Sequence, residues 1–161
     1  MFNLKTICIA LLMASSASAI EKEPVTLRVT LNQIIFSESD ESWSSRDLHL
    51  FEKVMIALNK KNISSWTQGL NEDFLLSRLS YREATLFEVT PEKIKISEVE
   101  RKKISGYTAK EIDDELKLLG AAFVFIDLKE NQLKQKDRFE IWLSHLKRKY
   151  QVKMKSAEPA L

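Results

Sequence analysis

Cysteine, glycine, proline and histidine are all scarce in this chain, and each shortage removes a class of function. Of 161 residues one is cysteine, three are glycine, three are proline and two are histidine. The lone Cys8 sits near the start of a short apolar run, so disulfides, cysteine nucleophiles and thiolate metal sites have no basis in the rest of the chain. Gly69, Gly106 and Gly120 stand far apart, which excludes phosphate-cradling loops and the glycine-flanked serine of a nucleophile elbow. His49 and His145 are too widely separated to give metal-ligand spacing. Charge of one sign is lacking too: a formal net charge of +2 is not the balance of a nucleic-acid binder. Few turn formers argue for long helices, and 44% hydrophobic against 30% charged residues suffices for a packed core.

The amino end, MFNLKTICIALLMASSASA, has the order of parts of a secretory signal peptide. Lys5 supplies the charge, residues 6–13 the apolar run, and Ala17, Ser18 and Ala19 the small residues of a cleavage site. The run is shorter than the ~20 residues a membrane-spanning helix needs, so cleavage after Ala19 is expected, with no membrane span remaining. A lipid anchor would need a cysteine at the cut, and Cys8 lies upstream of it. An exported chain without cysteine suits a bacterial periplasm. About 140 residues are left, the size of one ordinary domain.

Beyond the leader, residues 25–31 (VTLRVTL) alternate with period two, and Ile34, Ile35 and Phe36 form a second strand-prone run. A polar loop, SESDESWS, leads to Ser44 and Asp47, spaced as a capping box, and to a helix over about residues 45–60 with Leu48, Phe51, Met55 and Leu58 inward. A second helix is predicted over about 71–88. Thr90 and Pro91 then suggest a cap with proline at the first helical position. Between 92 and 105 a strand-like alternation, Ile94 and Ile96, competes with another capping spacing at Ser97 and Glu100; a short helix is the expectation. Thr108 and Glu111 open the longest helix, about 109–131, and the last helix occupies about 136–149. QVKMK behind it alternates like a strand and needs a partner, which the front of the chain can provide. The expected fold is mostly α with a small β-sheet: one helical domain over 20–155, closed by N- and C-terminal strands, with a disordered tail at 156–161.

The carboxylate pairs Glu72-Asp73 and Asp113-Asp114 are adjacent on helices and diverge by about 100°, so they cannot share a substrate. The cations at 147–149 fit the negative end of a helix dipole. More informative is the longest helix, where Ile112, Leu116, Leu119, Phe123 and Ile126 make one apolar stripe and Leu118, Ala122 and Phe125 a second, about 120° away. Such a helix is either central in the core or offers one face to a peptide or a partner's helix. On the second alternative, Leu118, Ala122 and Phe125 are candidate peptide-binding residues, with Trp66 as a loop aromatic of the same type.

Three stretches carry a family resemblance. NQIIFSES followed by SSRDLHLFEKVM looks like a strand, turn and capped first helix; FLLSRLSYREATLFEVTPEKI, with Glu83-Ala84, is similar to a leucine-rich second helix leading to a capped element; RFEIWLSHLKRKYQVKM looks like a closing helix and strand. In this order, over most of residues 30–154, they resemble the N-terminal domain of the periplasmic chaperone SurA and its relatives. The resemblance implies a terminal strand that completes the sheet begun by the first, and a role in holding unfolded or extended polypeptide, outer-membrane proteins in transit, without catalysis and without a cofactor. Prolyl isomerase activity is not implied, because there is no room for a parvulin domain. The segment 94–105 is shorter than its counterpart in larger members. The competing expectation is a periplasmic interaction subunit that docks to one folded partner and has no holdase activity.

Overall fold

The computed structural model describes residues 34–37 and 41–154. The expected leader, the alternating run at 25–31 and the tail at 156–161 lie outside them. Three strands, β1 (Ile34–Ser37), β2 (Ser42–Ser44) and β3 (Lys153–Met154), and five helices, α1 (Ser45–Ala57), α2 (Leu70–Leu86), α3 (Glu98–Lys103), α4 (Ala109–Leu133) and α5 (Lys136–Lys149), make a mostly helical fold with a small antiparallel sheet. The strand order is β2-β1-β3, so the first and last described strands pair, with Phe36 opposite Met154 and Ser37 opposite Lys153. The closure that the terminal QVKMK pattern demanded is present.

β2 lies where the sequence pattern suggested only a polar loop. Its single apolar residue, Trp43, is buried opposite Phe36 across the β1–β2 ladder, and one inward side chain in three gives almost no periodic signal. Both aromatics pack on α2. Phe36 stacks on Phe74 at 6.1 Å, and Trp43 and Phe51 meet the same ring edge-on at 6.2 and 5.6 Å. Phe74 thereby ties the sheet and α1 to α2.

The helix starts follow their caps. Ser44 and Asp47 form the expected capping box, the Ser44 amide donating to Asp47 Oδ2 at 2.7 Å. Asn59, at φ 55°, ends α1 slightly before the expected position, and Glu88, at φ 51°, turns the chain after α2. The largest departure concerns residues 87–97, which form no helix. Pro91 does not begin one; α3 starts only at Glu98, where Ser97 Oγ accepts from the Glu100 amide at 3.2 Å. The alternation of Ile94 and Ile96 prevails because both half-buried side chains pack on the core from an extended segment while their neighbours stay in solvent.

That segment crosses α4 at Gly120. The Glu92 amide donates to the Gly120 carbonyl at 3.2 Å, and a Cβ on Gly120 would overlap the Glu92 carbonyl oxygen. Glycine inside a helix normally costs about 0.5–1 kcal/mol relative to alanine. Here it permits backbone-to-helix contact. Gly120→Ala is therefore expected to destabilise the protein by about 1–3 kcal/mol in chemical denaturation and to speed proteolysis within 88–97.

α2 and α4 form the centre. Residues 73–80 of α2 are buried without interruption, and the first stripe of α4, Ile112, Leu116, Leu119, Phe123 and Ile126, is buried throughout. α5 adds Phe139, Leu143 and Leu146. α4 begins with a second capping box in which the Thr108 amide donates to Glu111 Oε2 at 2.7 Å, while Arg46 Nη2 donates to Glu111 Oε1 at 2.8 Å. The Thr108 amide first, then Arg46, hold this carboxyl down at about 2. A lowered carboxyl stabilises the fold above its ordinary pKa and loses that contribution as pH falls toward about 2. Glu111→Gln is expected to lower the melting temperature at pH 7, with the difference from wild type closing between about pH 4.5 and 2.

Candidate functional site

The four residues singled out from the sequence do not meet in one place. Ala122 is completely buried in the main core, and Phe125 is 3% exposed in a smaller cluster with Ala84 and Ala121. Phe125 is covered by chain segments that no local pattern places there. Phe87, just past α2, stacks on it at 6.0 Å, and Trp142 of α5 tilts against it at 6.2 Å. Trp66 packs edge-on against Phe139 at 5.1 Å, anchoring the α1–α2 loop to α5. Leu118, like Trp66, stays half-exposed, and it stands on the wall of a cleft. The second stripe of α4 is thus core in the isolated chain and not an open contact face.

Accessible apolar surface lies elsewhere. Ile56 on α1 is 68% exposed, Met154 on β3 70% and Leu70 at the start of α2 37%. These three rim two adjoining grooves. The first, of about 450 Å³, runs between α1 and the start of α2 past Phe51, Met55, Ile56 and Leu70. The second, of about 510 Å³, continues from Gly69 and Leu70 past Leu75 and Phe36 to Met154. Gly69 and Leu70 belong to both. At the junction Gly69 takes φ 122°, a value a side chain rarely adopts, and open space lies where its Cβ would be. The two grooves thus adjoin at a bare stretch of backbone, and the second reaches β3, the edge strand among the described residues. Lys60, Lys61 and Lys147 border the grooves together with Glu52 and Glu72, giving an apolar floor with a mixed-charge margin.

A separate cleft of about 350 Å³ lies among β2, α1, α2 and α4. Its walls include Trp43, Leu50, Tyr81, Tyr107 and Leu118. Two ion pairs stand among its lining residues, Arg46 with Glu111 at 2.8 Å and Arg82 with Glu41 at 3.4 Å. Tyr107 donates its hydroxyl to the Arg46 carbonyl at 2.9 Å, and its ring lies under the Arg46 guanidinium at 4.5 Å. Arg78 and Glu115 also line the cleft, joined at 2.8 Å with both side chains 6% exposed. Burial pushes the Glu115 carboxyl up, and the Arg78 charge opposes that shift. No local pattern marks this pair, because 37 residues separate its members.

The histidines have separate surroundings. His49 stands 3.4 Å from Glu52 and 6.5 Å from the Tyr107 ring, while His145 is exposed on α5. Among the described residues no helix is long and apolar enough to cross a membrane.

The burial of Phe125 fixes what its substitution should do. Phe125→Ala is expected to cost about 3–5 kcal/mol in equilibrium unfolding, the loss of a core aromatic and not of a surface contact. No family model matches the chain, and neither a curated protein nor a solved structure matches it.

Proposed function

We propose that this chain is a periplasmic, non-catalytic chaperone-like protein of the SurA N-domain type that binds unfolded or extended polypeptide, outer-membrane proteins in particular. The observation that carries the reading is the pair of apolar grooves that adjoin at Gly69 and Leu70, with Ile56, Leu70 and Met154 exposed along them. A solvent-facing apolar tract with a polar margin is the signature of a contact surface, and an extended chain suits a groove that ends on an outer strand. The signal-peptide pattern of residues 1–19 supports the periplasmic address. The pairing of β3 with β1 supports the family reading, since the return of the last strand to the first is what the resemblance implied.

The magnitudes suit a holdase. Covering roughly 300 Å² of apolar surface contributes about 7 kcal/mol, much of which is offset by ordering the client, so net affinity from the grooves is weaker than micromolar. Weak binding of that kind permits release.

Substituting both exposed groove residues separates surface from core. In the Ile56→Lys, Leu70→Lys double variant, stability is expected to change by less than about 1 kcal/mol, because both sites face solvent. Protection of a urea-unfolded outer-membrane barrel protein against aggregation is expected to fall several-fold, measured by light scattering on dilution. A wild-type protein that gives no protection overturns the chaperone reading and leaves docking to one folded partner.

A further inference from the structure

The Arg78–Glu115 pair is only half satisfied. Arg78 Nη2 donates to Glu115 Oε2, the Arg78 guanidinium lies over the Phe74 ring at 4.5 Å, and both side chains are 6% exposed. Among the described residues Arg78 Nη1 and Glu115 Oε1 are buried without any hydrogen-bond partner. Each such orphan destabilises the fold, and an apolar pair of similar shape commonly holds two helices together as well or better. Helix packing alone therefore does not account for the pair. Its position in the lining of an open cleft walled by Trp43, Tyr81, Tyr107 and Leu118 supplies another use.

We infer that this cleft is a second binding site, taking one extended aromatic or large apolar residue of a polypeptide, with Arg78 Nη1 donating to that residue's carbonyl and Glu115 Oε1 accepting from its amide. An extended residue presents its own N–H and C=O on the same edge, as in an antiparallel ladder, and so offers one donor and one acceptor side by side. The two orphans are the complementary acceptor and donor. A cleft of about 350 Å³ has room for a large side chain and its backbone, and the aromatic walls suit that side chain. Access runs past the partly exposed ion pairs Arg46–Glu111 and Arg82–Glu41. The identity of the ligand rests on the polypeptide-binding reading; the location of the site rests on the orphaned atoms.

The test compares a ten-residue unstructured peptide containing one phenylalanine with its analogue in which the phenylalanine N–H is replaced by an ester oxygen. Binding is followed by tryptophan fluorescence, with Trp43→Phe identifying the signal from the cleft. The wild-type protein is expected to bind the amide about tenfold more tightly than the ester, the worth of one buried hydrogen bond. In Arg78→Met, Glu115→Leu the melting temperature is expected to hold or rise, while the peptide binds at least tenfold more weakly and the amide–ester difference disappears. Wild-type affinity retained in that variant overturns the inference. If the variant does not fold, the unaltered protein decides alone: equal affinities for amide and ester overturn the site. Equal affinities alongside protection of an unfolded barrel protein remove the cleft and leave the proposed function standing. Binding of neither peptide nor barrel protein removes both.

Discussion

The fold depends on how α2 satisfies the polar groups it buries. Asp73, Ser77, Arg78, Ser80 and Glu83 are all enclosed on a helix that has almost no solvent face between 73 and 80. A buried polar group left without a partner costs more than most single contacts contribute, so partners must come from the surrounding elements. For Asp73, Arg78 and Glu83 they come from three directions, while Ser77 donates to the Phe74 carbonyl of its own helix and Ser80 Oγ has no partner among the described residues. Asp73 accepts from the Ile63 amide and the Thr67 hydroxyl, which fixes the loop between α1 and α2. Arg78 meets Glu115 and sets the register of α2 on α4. Glu83 accepts from Lys149 at 2.6 Å and from the Tyr150 hydroxyl, which fixes the end of α5. β3 starts four residues after Lys149. A two-residue strand cannot hold its own position, so the closure of the sheet is delivered by the Glu83 contacts as much as by the ladder.

The same constraint places the binding surfaces. The first turn of α2 lies outside the enclosed stretch, and there Gly69 and Leu70 line both apolar grooves. In the middle of α2, within that stretch, the Arg78–Glu115 contact leaves one donor and one acceptor unpaired beside a cleft. Apolar grooves supply area without direction, whereas paired hydrogen-bonding groups supply direction with little area. A polypeptide without fixed structure offers both kinds of surface, apolar side chains and a regular backbone.

Local signals in the sequence were strong where one residue decides one feature. The boxes at Ser44–Asp47 and Thr108–Glu111 marked two helix starts, and the bounds of α5 follow from its own periodicity. Reading failed where distant segments decide. Proline at the first helical position is a preference of less weight than two isoleucines reaching the core from an extended segment, and Gly120 allowed that segment to approach. The centrality of α2 was hidden because Ser77, Arg78, Ser80 and Glu83 look like a solvated face until α4, which pairs with Arg78, and the end of α5, which pairs with Glu83, are in place. The burial of Phe125 was not legible for the complementary reason. Its stripe is apolar, but Phe87 and Trp142, which cover it, come from opposite sides of the sequence.

The crossing of α4 by residues 87–97 bears on the functional reading. There the fold lays an extended segment of its own chain over a helix, with one backbone hydrogen bond at Gly120 and two isoleucines as the apolar anchors. This is how a groove holds a foreign extended chain: few directional bonds, alternate side chains inward, and a small residue where the backbones approach. The internal segment is favoured over any client at that place, since tethering gives it a high local concentration at low entropic cost. On the proposed reading a client is therefore directed away from this crossing and toward the surfaces the chain leaves uncovered, the grooves at Gly69 and Leu70 and the cleft at Arg78.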